Sequence, residues 1–328
     1  MTKKTFDIAV IGGGPVGIFT AFYAAMRDLE PVLIESMPTL GGQPSNLYAQ
    51  KQIYDVAGQF GVNGSQLIQN LIIDQPPFKY ETCLETTVEN FVKQDDYYQI
   101  KTNHEDIFAK AIIITVGNGP FNPRKLAFDY DPQLEGKQLN YFVKNLEDFR
   151  NCDVLVAGGG DTAVDWALEI DKVAHHTSLL HRRNQFRALE SSVKRLMDTK
   201  VELLTPNIIT GLQLLPDSNK VSVSFKTVGT EDTAQVIVDK ILVNYGMTTD
   251  SRLLRKWGLE LQGPFIPVNS KMQTNLEHVY AAGDVVTYPG KQKLITLGFA
   301  EGPIAVSSAI ADIYPQKSNF GHSSSMFN

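Results

Sequence analysis

Cysteine is scarce in this 328-residue chain: Cys83 and Cys152 are the only two, and no CxxC spacing occurs. That excludes a disulfide scaffold, and two isolated thiols point to a reducing compartment. Positive charge is not in excess either, with 30 Lys and Arg against 36 Asp and Glu and a net charge of -6. Nonspecific nucleic-acid binding needs a basic surface to displace counterions, so no nucleic-acid partner is expected. No apolar run approaches the ~18 residues of a membrane span. Met1-Thr-Lys-Lys leads directly into a strand-like segment, leaving no room for a signal peptide. The expectation is a cytoplasmic protein, neither exported nor membrane-bound, and no metal ligand set is assigned.

What the chain does contain is length and repetition. Single cores stop growing near ~250 to 300 residues, so 328 residues imply two domains. Phe6-Asp-Ile-Ala-Val-Ile11 is a short apolar run that meets Gly12-Gly-Gly-Pro-Val-Gly17, and an amphipathic helical pattern comes next. Pro31-Val-Leu-Ile-Glu35 supplies a second strand, completing a βαβ unit. The same order returns 146 residues later, in Asp153-Val-Leu-Val-Ala157, then Gly158-Gly-Gly-Asp-Thr-Ala163, a helix, and Thr177-Ser-Leu-Leu180. Each copy closes with a strand ending in glycine, at 111–117 and 240–246, after a strand meander. The segment after 247 holds one strand and a long helix from about 294 to 314 and is expected to rejoin the first domain. The predicted fold class is α/β, with two Rossmann-like dinucleotide-binding domains, the second (118–246) inserted into the first (1–117 and 247–328).

The chemistry sits in the glycine turns and at the end of the strand after each one. Gly12, Gly14 and Gly17 follow a strand and open a helix, and Glu35 stands 18 residues further on, at the end of the next strand. Such glycines let backbone N–H groups approach a pyrophosphate at the positive end of a helix, and the acid accepts from ribose hydroxyls. Gly158, Gly160 and Ala163 repeat the pattern, but here the second strand ends in His181-Arg182-Arg183, with Arg187 nearby and no acid. Guanidinium groups bind a 2′-phosphate through bidentate bonds where a carboxylate would repel it, so the second site is expected to take NADPH. Asp284, in Tyr280-Ala-Ala-Gly-Asp284, comes just after a predicted strand and is placed to bond a flavin's ribityl chain. Leu40-Gly41-Gly42-Gln43 and Tyr48 would line the flavin half, although the glycines alone also suit a flexible loop.

Taken in order, GGGPVG, GGQ, TVGNGP, GGGDTA, HRRxxxR and AAGDV resemble low-molecular-weight thioredoxin reductases over nearly the whole chain. Those enzymes carry a redox-active CxxC shortly before the second fingerprint. Here Tyr141-Phe-Val-Lys-Asn145 stands there instead, and Cys152 has no partner for exchange. The sequence therefore resembles the ferredoxin/NADP reductases of the thioredoxin-reductase-like type. That resemblance implies FAD on the first domain, NADPH on the second, ferredoxin or flavodoxin as the one-electron carrier, and a homodimer. It implies FAD contacts at Glu35, Gln43, Tyr48, Val88, Phe121, Asp284, Ser324 and Ser325. It also implies stacking of Tyr48 and His322 on opposite flavin faces, with no acid or base assigned. Two alternatives stand beside it: a disulfide or peroxide reductase component that uses a partner's cysteines, and a non-enzymatic flavin-loaded NADPH sensor.

Overall fold

The structure, a computed structural model, describes residues 4–72, 78–119, 122–248 and 251–317. The chain divides into two compact units, Met1–Pro120 with Thr249–Asn328, and Phe121–Thr248. The crossings fall a few residues beyond the glycine-ended strands from which a boundary is read in the sequence.

In the first unit β1 (Thr5–Ile11) leads into α1 (Pro15–Met26), whose first residue is a proline that needs no helical N–H partner. The helix stops where Asp28 turns left-handed, at φ +56°. Then come β2 (Pro31–Ile34), the short α2 (Gly42–Asn46), α3 (Gly64–Ile72), β3 (Glu81–Cys83), β4 (Val88–Lys93), β5 (Tyr98–Thr102) and β6 (Ile107–Ile114). The strands form one sheet in the order β3-β2-β1-β6-β5-β4, parallel from β3 to β6 and antiparallel from β6 onward. Alternate residues of the central strands enter different cores. Ala9, Ile11, Val32, Ile34, Ile112 and Ile114 face one layer, and Ile8, Val10, Leu33, Ala111 and Ile113 the other. Burial on both faces explains why these strands read as continuous apolar runs.

The second unit repeats the plan with β7 (Leu139–Asn140), β8 (Asp153–Ala157), α4 (Asp161–Ile170), β9 (His176–Leu180), α5 (Glu190–Met197) and β10 (Glu202–Leu204). An antiparallel sheet of β11 (Asn207–Leu215), β12 (Lys220–Thr227) and β13 (Thr233–Val238) precedes β14 (Lys240–Val243). The parallel sheet runs β7-β14-β8-β9-β10. Leu155, Ala157, Ile241 and Val243 pack against Val221, Val223 and Phe225 of the antiparallel sheet. On α4, Ala163, Val164, Ala167 and Ile170 are buried, and the helix packs on β8 and β9.

The chain then returns to the first unit. The short α6 (Arg252–Lys256) brings Leu254 and Trp257 onto one face of the main sheet. Next, β15 (Val279–Ala281) pairs in parallel with the second half of β6, and α7 (Ile295–Ile313) lies along α1 on the other face. Two glycines permit that contact. A Cβ on Gly298 would lie 2.3 Å from Val16 Cγ2, and one on Gly302 2.3 Å from Thr20 Oγ1. Gly298→Ala is therefore expected to cost ~1 to 3 kcal/mol as an overpacked contact, read as a lower denaturant midpoint. Val16→Ala in the same chain should recover most of that loss, because the two side positions compete for one space.

Candidate dinucleotide-binding sites

The first site is built on backbone contacts. Gly12 turns at φ +112°, and a Cβ there would lie 2.7 Å from the carbonyl oxygen of Thr115. At Gly17 a Cβ would come within 1.8 Å of the Gly12 carbonyl oxygen, so only glycine lets α1 start directly on the turn. Gly14 is different: its nearest neighbour is the Cα of Gly42 at 4.0 Å, and it caps α1 without a side-chain hydrogen bond. The first N–H groups of α1 thus open onto free space at the positive end of the helix. That cradle fits an anionic pyrophosphate.

A second glycine pair closes on the first. The N–H of Gly41 donates to the Gly13 carbonyl at 2.8 Å, and a Cβ on Gly42 would lie 2.9 Å from the Gly14 Cα. The GGQ stretch is thus a pinned turn leading into α2, with Gln43 as its second residue. Glu35, just past β2, is buried. Its Oε2 accepts from the Gly13 N–H at 2.7 Å, and its Oε1 from the Met37 N–H at 2.8 Å and the Ser36 hydroxyl at 3.1 Å. Of about four lone-pair directions on a carboxylate, one is left for a ligand donor. Val88 is buried in the sheet core, and Thr86, two residues before it, donates its N–H to the Glu35 carbonyl at 2.9 Å.

Tyr48 packs against the cluster of Ile53, Val56 and Leu67, together with Phe299 of α7. Burial, reinforced by Asp284 and Asp55, pushes its phenol above the ordinary tyrosine range, so it stays neutral. Asp284 is joined to β15 through Gly283, whose φ is +84°. Burial raises the Asp284 carboxyl pKa against the opposing pull of Lys293 and Lys291. Lys293 is shifted down, again mainly by burial, and donates to Asn118 Oδ1 at 3.1 Å.

The residue that holds this loop is not evident from the sequence motifs. Glu301 of α7 is buried, its Oε2 accepting from the Gly283 N–H at 2.7 Å and its Oε1 from Lys291 Nζ at 2.6 Å and the Tyr288 hydroxyl at 2.5 Å. Lys291 and Glu301 are 6% and 2% exposed, the geometry in which removing one partner costs ~3 to 5 kcal/mol. A lone acid within the apolar Ile295-Thr-Leu-Gly-Phe-Ala-Glu301 is the signal that could have found it.

In the second unit, a Cβ on Gly158 would lie 2.5 Å from the Asn244 carbonyl oxygen and 2.9 Å from the Ala163 Cβ. Gly160 caps α4 with open space around it, the nearest atom being the Arg187 carbonyl oxygen at 3.9 Å. The arginine loop is tied to this turn, since Arg187 N–H donates to the Gly159 carbonyl at 2.6 Å and Leu189 N–H to Asp161 Oδ1 at 2.8 Å. A carboxylate at the start of an anion-binding helix is thereby turned to a backbone donor of the arginine loop. The His181 ring lies against Gly159 and stacks on Phe186 with centroids 5.6 Å apart. Burial first, then Arg182 and Arg183, hold its pKa below the usual value, which keeps the ring neutral at pH 7. Arg182, Arg183 and Arg187 are exposed, and none has a carboxylate partner among the described residues. Phe121, His322, Ser324 and Ser325 lie outside the described residues.

Residues 6–309 match the pyridine nucleotide-disulphide oxidoreductase family. The chain belongs to that family. Among its curated relatives, "Ferredoxin--NADP reductase 2" of Latilactobacillus sakei is 47% identical over 322 residues, covering 98% of each chain. A ferredoxin/NADP reductase of Halalkalibacterium halodurans is 45% identical over 328 residues, 99% of each. The crystal structure of Lactococcus lactis thioredoxin reductase superposes with a TM-score of 0.83 at 25% identity, over 95% of this chain and all of that one. Cys83 lies in one unit and Cys152 in the other, both are free, and burial pushes both pKa values up, the reverse of an activated thiolate. No helix among the described residues is long and apolar enough to cross a membrane.

Asp284 yields a prediction for the cofactor-free protein. Its folded pKa lies above the ~3.9 of an unfolded aspartate, so the folded state binds more protons in that window. Its contribution to stability therefore falls as pH rises through the window and returns on acidification. Asp284→Asn should raise the Tm of the cofactor-free protein at neutral pH and leave it nearly unchanged at the acidic end of the window. An unchanged neutral Tm would show that the carboxylate is not destabilised by burial.

Proposed function

We propose that the first unit holds FAD, the second holds NADPH, and the enzyme passes electrons from NADPH to a one-electron carrier, ferredoxin or flavodoxin. The observation that carries this reading is the contrast between two otherwise matching fingerprints. One second strand ends in the buried carboxylate of Glu35, the other in three exposed guanidinium groups without carboxylate partners among the described residues. A ribose with free hydroxyls suits the first, and a ribose carrying a phosphate suits the second.

FAD held there would supply the redox chemistry, since a flavin can take up a hydride and give up electrons singly and so would link a two-electron donor to a one-electron carrier. The chain's own contribution is binding and orientation. The N–H groups opening α1 and the Gly41-Gly42-Gln43 turn receive the pyrophosphate side of FAD, Glu35 takes a ribose hydroxyl, and Val88 offers its backbone. Asp284 accepts from the ribityl chain. Tyr48, neutral and packed from behind, presents a ring to the flavin, and His322 is assigned to the opposite face. Phe121, Ser324 and Ser325 complete the FAD contacts in this reading. Gly158, Gly160 and Ala163 admit the NADPH pyrophosphate, while His181, Arg182, Arg183 and Arg187 receive its 2′-phosphate and adenosine. No side chain is assigned as nucleophile, acid or base. The reading extends to a cytoplasmic homodimer; two free thiols support the compartment.

Arg182→Ala with Arg183→Ala should raise the KM for NADPH roughly ten- to a hundredfold and leave turnover with NADH nearly unchanged, since hydrogen bonds to charged groups contribute ~1.5 to 3 kcal/mol. Anaerobic rates with ferredoxin, flavodoxin and a disulfide, measured side by side, give the acceptor class. Equal weakening of both nicotinamide cofactors, or reduction of the disulfide alone, would overturn the proposal.

A further inference from the structure

The second unit fixes where one end of its dinucleotide lies, and the sheet order then dictates the path of the other. The 2′-phosphate assignment puts adenosine over the end of β9, and the pyrophosphate belongs at the start of α4, after β8. The other neighbour of β8 is β14, so the sheet has its topological switch point between β8 and β14. Dinucleotides cross such a point at the carboxyl ends of the strands, which carries the second half of the cofactor over the end of β14.

Asn244 is the residue at that end. Its N–H donates to the Ala157 carbonyl at 2.7 Å, and its own carbonyl is the atom that a Cβ on Gly158 would meet at 2.5 Å. The residue is thus fixed by its backbone against the glycine turn. Its side-chain Oδ1, by contrast, is buried and accepts no hydrogen bond among the described residues. A buried amide oxygen without a donor is unusual, because its hydration has been lost with nothing in exchange. The next residue, Tyr245, has its phenol pushed up to about 12 by burial, with the Arg182 guanidinium near enough to pull the other way.

We infer that Asn244 is a binding residue for the nicotinamide half of the cofactor, its Oδ1 accepting from a ribose hydroxyl or from the carboxamide NH2. The inference rests on the second unit's holding NADPH. It separates two kinds of contact: Arg182 and Arg183 serve only a nucleotide with a 2′-phosphate, whereas Asn244 serves the part that NADP+ and NAD+ share and that 2′,5′-ADP lacks.

Calorimetric titration of the FAD-loaded protein with NADP+, NAD+ and 2′,5′-ADP tests this without turnover. Asn244→Ala should weaken NADP+ and NAD+ by the same factor, roughly five- to tenfold for one neutral hydrogen bond, and leave 2′,5′-ADP unchanged. Arg182→Ala should do the reverse, weakening NADP+ and 2′,5′-ADP and sparing NAD+. If Asn244→Ala weakened 2′,5′-ADP as well, the residue would act by holding the glycine turn, and the inference would fall. Unchanged NADP+ affinity in that variant would also overturn it. Failure of the unaltered protein to bind 2′,5′-ADP at all would remove the NADPH assignment on which it stands.

Discussion

A methyl group on residue 17 would lie 1.8 Å from the carbonyl oxygen of Gly12, and much of the first unit depends on that forbidden contact. With glycine at 17, α1 begins against the end of β1, and its unpartnered N–H groups open into the space around Gly14. The same demand recurs outward from the turn. Gly42 lies against Gly14, Gly283 against Val16, and Gly298 against Val16 again, so three separate segments converge on one helix start as backbone. The second unit meets the demand with Gly158 packed on the Asn244 carbonyl and Ala163. Each unit thus presents a helix N-terminus at the carboxyl end of the strand that runs into its glycine turn, β1 in the first and β8 in the second.

What distinguishes the units is charge at the end of the second strand and how that charge is held. Glu35 is buried and its oxygens are largely used by Gly13, Ser36 and Met37, so it is fixed before any ligand arrives. The arginines are exposed, and it is their loop, not their heads, that is fixed, through Gly159 and Asp161. A fixed acceptor suits a hydroxyl of defined direction, and exposed guanidinium groups with several donors each suit a phosphate with several oxygens. On the far side of the first site, the buried Lys291–Glu301 pair ties the Asp284 loop to α7, and Asp284 carries the cost of its own burial. The first site is therefore strained in the direction that a hydrogen-bond donor would relieve.

Much of this was legible in the sequence because it is written locally. Strand, glycine turn, helix and acid or arginine succeed one another within about thirty residues, and their periodicity needs no tertiary knowledge. The long final helix was equally legible, from a run of small and apolar residues, and it spans Ile295–Ile313. What escaped was long-range pairing. Glu301 looks like a surface residue until α7 is laid on α1, and Gly41-Gly42 looks flexible until it meets Gly13 and Gly14. Asn244 looks like a strand-end amide until β14 is seen beside β8. Each of these depends on segments distant in the chain, and a one-dimensional pattern holds no record of which distant segment arrives. The lack of a CxxC is legible in the sequence as an absence, and burial raises the pKa of both cysteines that are present.

The central claim is that electrons leave NADPH through the flavin with no protein thiol on the path. The most direct measurement is NADPH-driven reduction of a one-electron carrier under anaerobic conditions by a Cys83→Ser/Cys152→Ser chain carrying a full complement of FAD. The account predicts a rate close to that of the unaltered protein. Loss of carrier reduction in a folded, flavin-loaded variant would contradict it and return the thiols to the mechanism.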